Sequence, residues 1–129
     1  MLITSIPQYI QGLTNAKVDL TNTNDTVLYT APSDSDFNAS VVSSLLVSND
    51  SGSADTITVT LISGSDTFSV YKLEEVGALS TKELLSKELV MQGGEVLKVQ
   101  AATGARLHVI ASIQELNKTR ITTSALANI

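Results

Sequence analysis

The sequence predicts an all-β protein, an antiparallel β-sandwich, and three observations predict it. Residues 56–62 set Ile57, Val59 and Leu61 on one face and Thr56, Thr58 and Thr60 on the other, the period-two pattern of a half-buried strand. Segments of this kind recur about every ten residues, separated by clusters of turn-forming residues. No long amphipathic helical stretch lies between them.

In order along the chain, strands are predicted at 16–21, 26–30, 40–48, 56–62, 67–73, 85–91, 95–101 and 106–115. About eight short strands at this spacing indicate a sandwich of the jelly-roll or immunoglobulin-like kind. The punctuation is Asn22-Thr23-Asn24-Asp25, Pro32-Ser33-Asp34-Ser35-Asp36, Asn49-Asp50-Ser51-Gly52-Ser53 and Ser63-Gly64-Ser65, all turn chemistry. In the last strand Leu107, Val109, Ala111 and Ile113 point one way and Arg106, His108, Ser112 and Gln114 the other, with Ile110 the exception. Glycine punctuates residues 90–113 as an antiparallel meander. Gly93-Gly94 predicts a hairpin with at least one positive φ, aligning Leu89 and Met91 with Leu97 and Val99. Ser80-Thr81-Lys82-Glu83 has the form of a capping box ahead of Leu84-Leu85, which predicts one short helix near 80–86. A loop running straight into a strand at Leu85 is the alternative.

The chain divides into an N-terminal arm at 1–15, a sandwich domain at 16–116 and a C-terminal arm at 117–129. The first arm carries Leu2, Ile3, Ile6, Tyr9, Ile10 and Leu13 around Pro7, apolar but without the clean alternation of a sandwich strand. The second is polar, with Ile121, Leu126 and Ile129 as anchors. Frayed ends are the usual fate of termini. The apolar content favours arms that order against a neighbouring subunit, which makes these nine side chains the candidate assembly contacts.

At 129 residues one domain is the economical reading. The absence of cysteine excludes disulfides, thiolate metal sites and cysteine nucleophiles. A net charge of -5, with Lys and Arg spread singly, leaves no basic patch for nucleic acid. Residues 1–10 lack the basic start of a secretory signal, and no run approaches the roughly 20 apolar residues of a membrane span. The expectation is a soluble protein made in the cytoplasm, binding neither nucleic acid nor membrane.

The candidate chemistry is thin. His108 is the only histidine, so a multi-histidine metal site is excluded and a Ser-His-Asp arrangement would have to centre on it. Its alternation places it on a solvated face. Glu74 and Glu75 are adjacent in a strand, point to opposite faces and cannot converge on one glycosidic bond. Asp34-Ser35-Asp36 and residues 49–55 are the only oxygen clusters dense enough for calcium, yet neither follows an EF-hand loop and turn geometry accounts for both. With no tryptophan, a platform of rings for sugar stacking is hard to assemble. The expectation is no catalytic residue, no cofactor and no metal.

Leu28-Tyr29-Thr30-Ala31-Pro32, Val41 to Asn49, Thr56 to Leu61, Leu89 to Val99 with its Gly93-Gly94, and His108 to Glu115 together resemble small virion structural proteins of tailed bacteriophages. The resemblance spans residues 26–116 and rests on a shared sandwich and shared turn positions. It implies a non-enzymatic assembly part found in the virion and made in the host cytoplasm. The first expectation is a head decoration (cement) protein that binds and stabilises the capsid shell, with the major capsid protein as partner. A tail, neck or baseplate adaptor contacting tail proteins is the alternative, and a glycan or host-receptor binding module the second. A small acidic sandwich gains function by docking, so a homo-oligomer is expected, with a trimer favoured.

Overall fold

A computed structural model describes residues 9–118, with side chains from residue 12 onward. Nine strands follow one another: β1 (Tyr9–Leu20), β2 (Thr26–Thr30), β3 (Phe37–Asn49), β4 (Asp55–Ser63), β5 (Asp66–Val76), β6 (Ser80–Glu83), β7 (Leu89–Met91), β8 (Val96–Ala101) and β9 (Leu107–Asn117). They form two antiparallel sheets. Sheet A runs β1-β9-β3-β6, with β7 also pairing with β3, and sheet B runs β2-β8-β4-β5. Each strand of the sheet interiors turns one face inward, and Val42, Leu45, Val47, Val109 and Ala111 of sheet A meet Ile57, Val59, Leu97 and Val99 of sheet B in one core. All nine of these residues are fully buried. Two layers closing over a shared core make a sandwich.

The strand at 26–30 stands where the sequence puts it, and 56–62 lies within β4 with its threonines half-buried on the outer face. The meander at 90–113 does not form. β7 pairs with β3 in sheet A, β8 with β2 and β4 in sheet B, and β9 returns to sheet A. The Gly93-Gly94 turn therefore carries the chain across the core and closes no hairpin. Its local chemistry is as expected: the Glu95 amide donates to the Gln92 carbonyl at 3.1 Å, and Gly94 has φ +81°. At the next turn the left-handed residue is Ala105, with φ 64°. Gly104 is needed for space instead, because a Cβ there would stand 2.8 Å from the Thr21 carbonyl oxygen.

The short helix near 80–86 is also absent: among the described residues there is no helix, and Ser80–Glu83 is strand β6, paired with Leu46–Asn49 of β3. The residues of the capping box are used across the sheet. The Ser80 hydroxyl donates to the Gly77 carbonyl at 2.7 Å. The Glu83 carboxylate accepts the Ser44 hydroxyl, the Leu45 amide at 2.7 Å and the Leu85 amide at 3.2 Å. A helix would have had to satisfy that carboxylate locally; β3 offers it a backbone amide 38 residues away in sequence.

The boundary expected between residues 15 and 16 falls inside β1, which pairs with β9 from Tyr9 opposite Asn117 to Leu20 opposite Leu107. Glycine, threonine and asparagine at 12, 14 and 15 obscure the alternation in the sequence, while the long β9 supplies backbone partners regardless. The boundary expected between residues 116 and 117 falls inside β9, and the Asn117 side chain is buried.

Candidate functional site

Of the nine candidate assembly residues, Leu2, Ile3, Ile6, Ile121, Leu126 and Ile129 lie outside the described residues. The backbones of Tyr9 and Ile10 pair with Asn117 and Leu116 in sheet A. Leu13 alone has a described side chain. It is 74% exposed, on the outer face of sheet A, and that face is the candidate site.

The register builds the face row by row. Leu13, Gln114, Val41 and Val90 stand side by side across β1, β9, β3 and β7. The next row is Asn15, Ser112 and Ser44, beside the bulge where the register shifts between Val42 and Ser44. There the Ser43 hydroxyl donates to the Ser112 carbonyl at 3.2 Å. Leu13, Asn15, Ser43, Ser112 and Gln114 line a shallow trough at this point. The third row is Lys17, Ile110, Leu46 and Glu83, and the fourth Asp19, His108, Ser48 and Thr81. Val90, Ile110 and Leu46 are exposed as Leu13 is. Charge is confined to the margin: the first two rows hold none, and in the third Lys17 and Glu83 stand at opposite ends. A polar rim around a less charged middle is a feature of protein–protein contact surfaces, and here serines share that middle with the apolar side chains. The outer face of sheet B is more polar, with Lys98 between Val27 and Thr60 and Gln100 beside Thr58.

Ile110 was visible in the sequence as the residue that breaks the alternation of its strand, an apolar side chain where the pattern calls for a polar one. Leu46 and Val90 gave no such signal, because each sits in an apolar run in which either face could be the buried one.

His108 is placed on the outer face, as its alternation predicts, but it is partnered. Its Nδ1 lies 3.5 Å from Asp19 Oδ1 and its Nε2 lies 3.1 Å from Asp50 Oδ2. Carboxylates on both ring nitrogens leave neither free for a serine hydroxyl in this arrangement. Glu74 forms an ion pair with Lys82, and the Lys82 ammonium also reaches the Glu75 carbonyl at 3.3 Å. The oxygen-rich loops are occupied by backbone amides. Asp34 Oδ1 accepts from Phe37 at 2.9 Å and Asp36 at 3.1 Å, and buried Asp55 accepts from Thr56 at 2.8 Å and from Thr103 at 3.1 and 3.2 Å. Among the described residues no three His, Asp or Glu side chains form a group that could hold a metal ion.

Among the described residues two groups have displaced proton affinities. Burial, followed by a hydrogen bond to Glu115, holds the Tyr29 hydroxyl well above the usual tyrosine range, so it remains a donor to Glu115 while also meeting Ser40 Oγ at 2.7 Å. This bridge ties β2 of sheet B to β3 and β9 of sheet A. What burial Glu83 has works against its charge, but the Ser44 hydroxyl and the amides of Leu45, Leu85 and Leu84 outweigh it and hold the carboxyl below its ordinary value.

No protein-family model and no curated protein sequence matches the chain. Among solved structures it is similar to a chain in the structure of infectious bursal disease virus Gx strain, at 10% identity and a TM-score of 0.30. The match covers 92% of this chain and 43% of that one. Among the described residues no helix is long and apolar enough to cross a membrane.

Proposed function

We propose that this chain is a non-enzymatic structural protein of a bacteriophage virion, a head decoration protein that binds and stabilises the capsid shell through the outer face of sheet A. The observation that carries the reading is that face: exposed Leu13, Leu46, Val90 and Ile110 around a serine-rich middle, with the charges at its margin. A sheet face left apolar in this way gains by being covered. The strand order supports the same class, since β1 to β4 alternate between the sheets and the chain crosses again from β5 to β6, β7 to β8 and β8 to β9, the double Greek-key order of a jelly roll, an architecture that capsid domains use. The resemblance to small tailed-phage virion proteins points the same way, and the major capsid protein is the partner it suggests.

Quantitative mass spectrometry of purified particles from the phage encoding the chain tests this, using the parent and an Ile110→Glu variant. The expected result is a copy number comparable to that of the major capsid protein for the parent, and at least about a tenfold loss from particles for a variant that still folds, since a charge buried in an apolar contact costs well over 1.4 kcal/mol. Absence of the parent from particles overturns the virion reading. A few copies per particle would instead indicate a tail, neck or baseplate adaptor.

A further inference from the structure

We propose that two copies of this chain pair through β1, antiparallel about a two-fold axis at Val18, so that sheet A runs continuously from one copy into the other. Among the described residues β1 is hydrogen-bonded on one side only, to β9. An edge strand turns every second N–H and C=O away from its neighbour, so along the far side of β1 these groups meet no other described strand, although the Asp19 carbonyl accepts the Thr21 amide at 3.0 Å.

Sheet edges are ordinarily blunted, and the other edges of this molecule are. β2 is five residues long and shifts register between Val27 and Tyr29. β5 shifts register at two places against β4, holds Leu73 at φ 54°, and carries Lys72, Glu74 and Glu75. The opposite edge of sheet A is broken into β6 of four residues and β7 of three. β1 is twelve residues long, contains no proline, and pairs without a register shift from Gly12 to Leu20.

Burial also stops short at this strand. Val109 and Ala111 of β9 are 0% exposed, whereas the residues directly opposite them, Val18 and Ala16, are only half-buried, and Thr14 on the same face is exposed. A further strand beside β1 would cover what sheet B leaves open there.

The outward residues then choose both the occupant and the register. Antiparallel pairing sets residues of the same face opposite each other, so an axis at Val18 places Lys17 against Asp19 of the second copy twice over, with Ala16 against Leu20 on the inner face. An axis at Lys17 would oppose two lysines, and an axis at Ala16 would oppose Asp19 to Leu13. Opposite charges across a strand pair stabilise it and like charges destabilise it. Because both halves of each ion pair come from the same short segment, the edge is complementary to itself, which is what a two-fold contact requires. Asp19 is open enough to serve His108 and the second copy together, its side chain being 58% exposed.

The inference does not rest on the virion reading, and its test reads mass in solution rather than particle incorporation. Sedimentation velocity on the full chain, on Lys17→Asp, on Asp19→Lys and on the double exchange is the experiment, with thermal melts confirming that each folds. The parent should sediment at twice the 13.6 kDa chain mass. Either single change, which sets like charges opposite each other, should raise the dimer Kd at least about tenfold, and the double exchange should restore it to within about threefold of the parent. Should Asp19→Lys disturb the fold through His108, Lys17→Asp still decides, because it leaves Asp19 and its contact to His108 in place, and a Kd equal to the parent's then overturns the proposal. A parent that is monomeric or trimeric, or a double exchange as weak as the single ones, overturns the proposal.

Discussion

Asn49 offers the sharpest test of how the loops are held. It ends β3 with its side chain 1% exposed. Its amide nitrogen donates to the carbonyls of Ser53 at 2.8 Å and Val76 at 3.1 Å, and its oxygen accepts the amide and the hydroxyl of Ser51, both at 2.9 Å. One side chain thereby shapes the turn into β4 and fastens the end of β5. Asn49→Ala removes all four bonds. Ser51 and Ser53 lie close to water and can rehydrate, so their bonds count at the low end of about 0.5–1.5 kcal/mol each; the carbonyl of fully buried Val76 cannot, and leaving it unpaired costs about 1–3 kcal/mol. The loss should come to about 2.5–4.5 kcal/mol, a fall in Tm of roughly 10–18 °C for a domain of this size. Urea unfolding followed by far-UV circular dichroism measures it, provided the m-value is unchanged. Asn49→Asp keeps the bonds from Ser51 but turns an oxygen toward two carbonyls, so it should be at least as damaging as alanine. If Asn49→Asp lies within about 0.5 kcal/mol of the parent, the amide nitrogen does not face Ser53 and Val76 and the reasoning is refuted.

Two further outcomes follow from the turns and the sheet edge. Gly94→Val should lower stability by more than about 1 kcal/mol, because φ +81° is strained for a β-branched residue, and the same urea titration reads it. Since the Glu83 carboxyl is held below its ordinary value in the folded chain, its contribution is fully present above the pKa of the unfolded chain and is lost as pH falls through the lower folded value. Stability measured from neutral pH into the acid range should therefore fall less steeply in Glu83→Gln than in the parent, and coincident curves would count against the contacts to Ser44 and Leu45.

Much of the strand content was legible because alternation is a local property: a strand such as 56–62 declares its buried face whatever lies beside it. Pairing partners are not local. Nothing in Gly93-Gly94 distinguishes a turn that folds a strand back on its neighbour from one that delivers it to the facing sheet, since both need the same left-handed residue. Ser80 to Glu83 failed for a related reason, as a glutamate three residues after a serine suits a helix start until a backbone amide from another strand claims it. In the candidate site, Ile110 announced itself by breaking a pattern, whereas the rows of the outer face exist only through register with β1, β3 and β7.

The placement of β9 has a consequence for how the molecule is made. The last of the described strands lies between β1 and β3 and is the partner of both, so sheet A has no middle until residues 107–117 have been synthesised. A nascent chain can form the β4–β5 hairpin early, but β1 must wait, unpaired, for a partner about a hundred residues downstream. Such pairing between distant parts of the sequence is slow. During that wait the strand with the least protected edge is also the one longest without its own partner, and the encounter of two growing chains competes with the closing of each.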